Sequence, residues 1–154
     1  MRRKEREVTS ILEIESIILK SDVCRIALAD GDLPYIVTLN FGYTGTNKKI
    51  LYFHCANEGR KLDMIRKNKQ VCFEMDTDHV LVEGSMACDF TMNYKSVVGY
   101  GLISIVTEFE EKVRGFETIM SHYKPGVIFS FNEKMFENTT ILRCDITGMS
   151  GKMC

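Results

Sequence analysis

Apolar positions recur with two different periods along the chain, and the switches between them divide it into elements. Ser10-Ile11-Leu12-Glu13 has the form of a capping box, and Ile11, Ile14, Ile17 and Ile18 follow at helical spacing, which predicts a helix over residues 10–20. Residues 23–29 alternate and read as a strand. Asp30-Gly31-Asp32 is a turn signal, and residues 35–41 form a second strand, so the pair makes a hairpin. Residues 42–49 are polar and contain glycine, which predicts a loop, and residues 50–54 supply the third strand of a second hairpin. Leu62 and Ile65 suit a short helix over 61–66, followed by strands at 71–75 and 80–84 and a connection at 88–93. A long strand over 96–106 carries Gly99 and Gly101, which mark a bend or a close backbone approach. Thr107-x-x-Glu110 reads as a second capping box. Phe109, Val113, Phe116, Met120 and Tyr123 then line one helical face as far as Pro125-Gly126. A short helical piece at 133–137 and a strand at 140–146 complete the series. The expected class is α+β, mainly β, with antiparallel pairing and with closure into a barrel to protect the edges.

Composition narrows the function classes. The chain has 154 residues, 45% hydrophobic and 27% charged, which fits one domain over 1–154. Lys and Arg number 20 against 21 Asp and Glu, for a formal charge of -1, and that balance argues against a nucleic-acid binder. The basic start, Met1 to Arg6, has no apolar region after it, so no signal peptide is expected. No apolar run reaches the roughly 18 residues of a membrane span. The cysteines at 24, 55, 72, 88, 144 and 154 contain no C-x-x-C pair. Cys24, Cys72 and Cys144 sit in strand-like runs as small core hydrophobes, and the free thiols suit a reducing cytoplasm.

One segment carries most of the chemistry: Phe53-His54-Cys55-Ala56-Asn57-Glu58-Gly59-Arg60-Lys61. A strand ends in histidine, a polar turn follows, and two cations open a helix. Arg60 can fork onto phosphate oxygens, Lys61 adds a second charge, and the helix N-terminus adds its dipole. Spacing alone describes as readily, and by default, two solvated charges ahead of a helix, as exposed cations usually are. His54 and Cys55 are adjacent on a strand and point to opposite faces, a poor arrangement for activating a thiolate. Asp76-Thr77-Asp78-His79, with Glu83 and Cys88 nearby, lacks structural-metal spacing and reads as a turn between strands, so no metal is expected. Gly99-Tyr100-Gly101 lacks the third glycine of a dinucleotide fingerprint.

Four segments together resemble the flavin-binding split-barrel proteins of the pyridoxamine 5'-phosphate oxidase superfamily, and most of all their nitroimidazole-resistance (Nim-type) branch. They are Asp22-Val23-Cys24-Arg25-Ile26-Ala27-Leu28, Pro34-Tyr35-Ile36-Val37-Thr38-Leu39-Asn40-Phe41-Gly42-Tyr43, the 53–61 segment, and Thr91-Met92-Asn93-Tyr94-Lys95-Ser96-Val97-Val98-Gly99-Tyr100-Gly101. The resemblance implies a six-stranded antiparallel split barrel forming a homodimer, with FMN, or the related FAD, at the dimer interface. It places the backbone of Ile36, Val37, Thr38, Leu39 and Asn40 beside the flavin ring. It places His54, Cys55, Ala56, Gly59, Arg60 and Lys61 at the ribityl phosphate, and Lys95 and Ser96 nearby. His54 is also the candidate catalytic residue.

The implied activity is flavin-dependent reduction of a small molecule, nitroimidazole-type compounds among them, with a nicotinamide donor as one source of electrons. The alternative is a flavin- or haem-binding barrel without fast turnover, with His54 or His122 as axial ligand. The chain departs from the oxidases proper in two places. Asn40 stands where they tend to carry lysine, and the 142–148 end has one arginine in place of a basic cluster.

Overall fold

The computed structural model describes residues 3–154. Its elements are β1 (Glu7–Val8), α1 (Ile11–Lys20), β2 (Cys24–Asp30), β3 (Leu33–Leu39), β4 (Phe41–Thr44), β5 (Ile50–Cys55), α2 (Arg60–Lys67), β6 (Gln70–Val82), β7 (Thr91–Ile105), α3 (Phe109–Tyr123) and β8 (Thr140–Met153). Short 3₁₀ turns lie at Lys4–Arg6, Ala87–Asp89 and Glu133–Phe136. The strands form one antiparallel sheet in the order β3-β2-β6-β7-β8-β5-β4, with β1 on β8.

β3 and β4 occupy opposite ends of that order, yet Asn40 alone separates them in the chain. The run from Leu33 to Thr44 therefore pairs first with β2 and then with β5, and the sheet curls into a barrel. The sheet has eight strands against the six that the resemblance implied: the break at Asn40 divides one run into β3 and β4, and β1 adds a two-residue strand on β8. Tyr123 pins the kink: its hydroxyl accepts from the Phe41 N–H at 3.1 Å and donates to the Asp22 carbonyl at 2.7 Å.

Alternation along the strands sets the core. Ile26, Leu51, Phe53, Phe73, Met75, Val97 and Leu142 point into the barrel, closed by Ile14, Ile17 and Ile18 of α1 and by Leu62 and Ile65 of α2. β5 is buried on both faces, because its other side chains, Ile50 and Tyr52, pack with Ile119 and Phe136 under α3. Arg143 and Tyr52 both bind Glu111, tying β8 and β5 to that helix. Cys24 and Cys144 are buried in the core, and burial pushes the Cys144 thiol up to about 12. No helix among the described residues is long and apolar enough to cross a membrane.

Three expectations change. Residues 71–75 and 80–84 belong to the single strand β6. The register shift between Thr77 and Val80, with Asp78 at φ 57°, makes Asp78 and His79 a bulge within that strand rather than a turn. β8 runs on to Met153, well past Ile146: its last residues are polar and contain glycine, but the β7 ladder holds them as far as Lys95↔Met153. The second capping box does not form: Glu108 is the N-cap of α3, and the Thr107 hydroxyl turns to Glu108 Oε1 at 3.4 Å. The first forms in half, with Ser10 Oγ accepting from the Glu13 N–H at 3.5 Å.

Gly42 lies against α3, where an added Cβ would sit 2.4 Å from the Thr118 carbonyl carbon and 2.5 Å from the Ile119 nitrogen. Both neighbours are backbone and cannot swing aside. Gly42→Ala is expected to destabilise by about 2 kcal/mol or more in urea titrations. Gly148→Ala, which enters open space, is expected to change stability by less than about 1 kcal/mol. Tyr123→Phe removes the acceptor for the Phe41 N–H, and we expect a loss of about 1–2 kcal/mol in the same assay.

Candidate functional site

The partner switch at Asn40 leaves a gap in the barrel wall. β4 covers β5 only from Thr44↔Ile50 to Phe41↔Phe53, so His54 and Cys55 pair with Ile141 and Thr140 of β8 on one side alone. β3 pairs only with β2, and its other backbone edge has no strand partner among the described residues. Two segments singled out in the sequence therefore border the same opening: Tyr35 to Asn40 on one side, His54 to Lys61 on the other. Along β3, Val37 and Leu39 lean on the core, while Ile36, Thr38 and Asn40 are exposed.

The lower border is built by a glycine and a helix start. Gly59 has φ 129°, a backbone that favours glycine, and it turns the chain into α2. Leu62 and Asp63 return their N–H groups to the Gly59 carbonyl, at 2.9 and 3.4 Å. The Arg60 and Lys61 N–H groups, as at any helix start, have no acceptor within the helix. Asn57 fixes the turn to β8, donating to the Glu137 carbonyl and accepting from Thr140 Oγ1 at 2.8 Å. Leu62, Met64 and Ile65 bury the other face of α2, so the helix cannot drift from the opening.

Arg60 is not a free solvated charge. Its Nη2 lies 3.0 Å from Asp30 Oδ2, and its guanidinium covers the Tyr35 ring at 4.7 Å. The β2–β3 hairpin thus holds Arg60 across the opening from its own helix. Lys61 is half-buried, and its charge offsets part of the burial effect that raises the Cys55 thiol. Ala56 is exposed in the turn between Cys55 and Gly59. The result is a ledge with two cations, helix-start N–H groups and a free strand edge, which suits an anionic ligand with a flat polar ring.

His54 and Cys55 face opposite ways, as their adjacency predicts. Cys55 joins the barrel core, while the His54 ring stacks on Phe116 of α3 with centroids 5.6 Å apart. His54 Nδ1 is buried with no hydrogen-bond partner among the described residues, and burial lowers the imidazole pKa. Nδ1 is sealed from solvent beneath α3, so in this arrangement that atom does not reach a ligand at the opening. His122 stands half-buried in the last turn of α3. Its ring packs on Phe41 at 4.4 Å and its Nε2 bonds the Ser21 carbonyl at 2.9 Å, which commits it to the fold rather than to axial ligation. His79 binds Asp76 at 2.6 Å, and Asp76 also takes Arg25.

Lys95 and Ser96 do not join the ledge within one chain. Lys95 lies beneath α1, with its ammonium 3.1 Å from Asp78. The α2 end of the barrel lies up β7 near Ile103, whose N–H bonds the Lys69 carbonyl. The stretch from Lys95 to Ile103 spans about 26 Å at ~3.3 Å per residue. Asp30 and Tyr35 are site residues that the sequence did not reveal. One read as a turn former and the other as a strand residue, and only the fold brings them to Arg60.

A closed antiparallel barrel, split beside a cationic helix start, defines the split-barrel class. The chain belongs to the pyridoxamine 5'-phosphate oxidase family, whose model matches residues 10–153. Among solved structures it is similar to a candidate 5-nitroimidazole antibiotic resistance protein from Bacteroides thetaiotaomicron VPI-5482. The two are 31% identical, covering 96% of this chain and 86% of that one, with a TM-score of 0.83. Two further relatives, each 16% identical, share the fold. They are a flavocytochrome from Azotobacter vinelandii (100% and 72% covered, TM-score 0.82) and an FAD- and haem-binding protein from Mycobacterium smegmatis (96% and 73% covered, TM-score 0.81). No curated protein sequence matches the chain.

The His54 environment carries a pH signature. Its folded pKa lies below the ordinary 6.5, so the unfolded chain binds the proton more readily. The sign follows: stability is full above 6.5 and falls as pH drops through that value. Urea midpoints measured from pH 7 down to 5 are expected to decline, and His54→Gln is expected to flatten that decline.

Proposed function

We propose that this chain is a flavin-dependent oxidoreductase that binds FMN at a homodimer interface and reduces a small molecule, with nitroimidazole-type compounds as the leading substrate class. The observation that carries this reading is the common opening bordered by the free edge of β3 and the Arg60–Lys61 helix start. Arg60, Lys61 and the helix-start N–H groups would hold the phosphate. Alternate backbone groups of Ile36, Val37, Thr38, Leu39 and Asn40 would meet the polar edge of the ring, and His54, the candidate catalytic residue at the end of β5, would border the site. Bound flavin supplies two-electron redox chemistry, and the protein orients it and excludes water.

The outer face of the β3-β2-β6-β7 wall supports pairing with a second copy. Ile36, Val98, Tyr100 and Leu102 are exposed there beside a groove of about 630 Å³ lined by Ala27, Cys72 and Leu33. This groove lies round the β2–β3 turn from the cationic ledge, and we assign it to the interface rather than to the phosphate. A second copy would also give Ser96 a way to reach a cofactor that its own chain keeps at a distance. The terminal segment supports reduction over pyridoxamine phosphate oxidation: Arg143 is already bound to Asp145 at 2.7 Å and Glu111 at 2.9 Å. The similarity to a candidate nitroimidazole-resistance protein supports the substrate class.

Purified protein is expected to show flavin absorbance and to release FMN on denaturation. A colourless preparation that binds no added FMN, or one with a haem Soret band in place of the flavin bands, would overturn the reading. Arg60→Ala with Lys61→Ala is expected to weaken FMN binding about tenfold to a hundredfold while leaving riboflavin affinity unchanged. Fluorescence titration of the stripped protein with both flavins measures the difference.

A further inference from the structure

The contact between Arg60 and Asp30 has a consequence for ligand affinity. Asp30 is the last residue of β2, and its carboxylate stands on the ledge, 3.0 Å from the guanidinium assigned to the phosphate. Both side chains are about half exposed, so the pair itself adds little to stability. Arg60 does not depend on it for position, since the Tyr35 ring supports the guanidinium from below at 4.7 Å. The carboxylate therefore contributes mainly its charge. A phosphate dianion drawn to Arg60 and the α2 N-terminus meets a fixed negative charge within one side-chain length, whether it displaces Asp30 or binds beside it.

We propose that Asp30 is a specificity-determining residue of the ledge, a competing carboxylate that lowers affinity for phosphate-bearing ligands and keeps the bound anion exchangeable. The inference rests on the phosphate reading of Arg60 and Lys61, and it makes the opposite prediction from those cations. Asp30→Asn keeps an oxygen to accept from Arg60 and removes only the charge. Asp30→Ala removes both.

The test is a titration of the stripped full-length protein with FMN and with riboflavin, at low and at near-physiological salt. Asp30→Asn is expected to tighten FMN binding about fivefold to tenfold at low salt, with a smaller gain as salt rises, and to leave riboflavin within twofold. Asp30→Ala is expected to tighten FMN in the same direction, because Tyr35 still holds Arg60. If wild type prefers FMN over riboflavin through Arg60, and Asp30→Asn leaves FMN affinity unchanged or weaker, the inference falls and the phosphate reading stands. If wild type shows no preference for FMN over riboflavin, the phosphate reading falls and takes the inference with it.

Discussion

The structure depends on the change of partner at Asn40. A strand that kept one neighbour along its length would leave an open sheet with two edges. Here the run from Leu33 to Thr44 leaves β2 and joins β5, so one strand closes the barrel and also opens its wall. The hydrogen bonds of Tyr123 explain why the break falls where it does. At the kink the Phe41 N–H lies between two ladders and would be left unsatisfied, and the Tyr123 hydroxyl takes it while bonding back to the Asp22 carbonyl. His122 adds a bond to the Ser21 carbonyl from the same helix end. The end of α3 thus acts as a clasp at the seam, which gives a structural use to two residues that carry ionisable groups.

Much of this fold could be read from local pattern. The isoleucines of α1, the alternation of β2 and the Gly59-Arg60-Lys61 entry to α2 are decided within a few residues, where propensity and periodicity act. What escaped reading is set by partners distant in sequence. β6 reads as two strands because Asp76 precedes a bulge that carries Asp78 and His79, residues that mark turns in isolation; Lys95 and Lys20 meet Asp78 and Arg25 meets Asp76, holding the bulge in a continuous ladder. The end of β8 has little β propensity of its own and is extended because β7 offers it a full set of backbone partners. The capping box before α3 fails for a local reason: Thr107 spends its hydroxyl on Glu108, its neighbour.

The candidate site divides along the same line. Its cations are adjacent in sequence, so their joint attraction for an anion was legible, though spacing could not separate it from two solvated charges. The difference lies in Tyr35 and Asp30, which reach Arg60 only because the β2–β3 hairpin folds over α2. The Tyr35 ring holds the charge at an opening with free N–H groups beside it, which suits binding better than a mobile side chain does, while Asp30 sets a carboxylate against that charge. His54 gains its meaning in the same way. Nothing in its sequence neighbours predicts the Phe116 stack or the unsatisfied Nδ1.

The geometry also bears on the proposed pairing of two copies. Closing the barrel uses up the inner faces of the strands, and α3 with the Glu133–Phe136 turn covers the outer side of β5. The outer side of β3, β2, β6 and β7 has no helix over it, and Ile36, Tyr100 and Leu102 remain in water. That same wall carries the free edge of β3 along its margin. A second copy covering the apolar wall would therefore also roof the opening, removing water from both with one contact surface. On the proposed reading, the cost of leaving apolar residues uncovered in the monomer and the need to shield a redox cofactor from solvent have the same solution. On that reading Ser96, in line with Val98 and Tyr100 along β7, is the residue that the wall would offer to a partner's cofactor, while Lys95 turns the other way beneath α1 to Asp78.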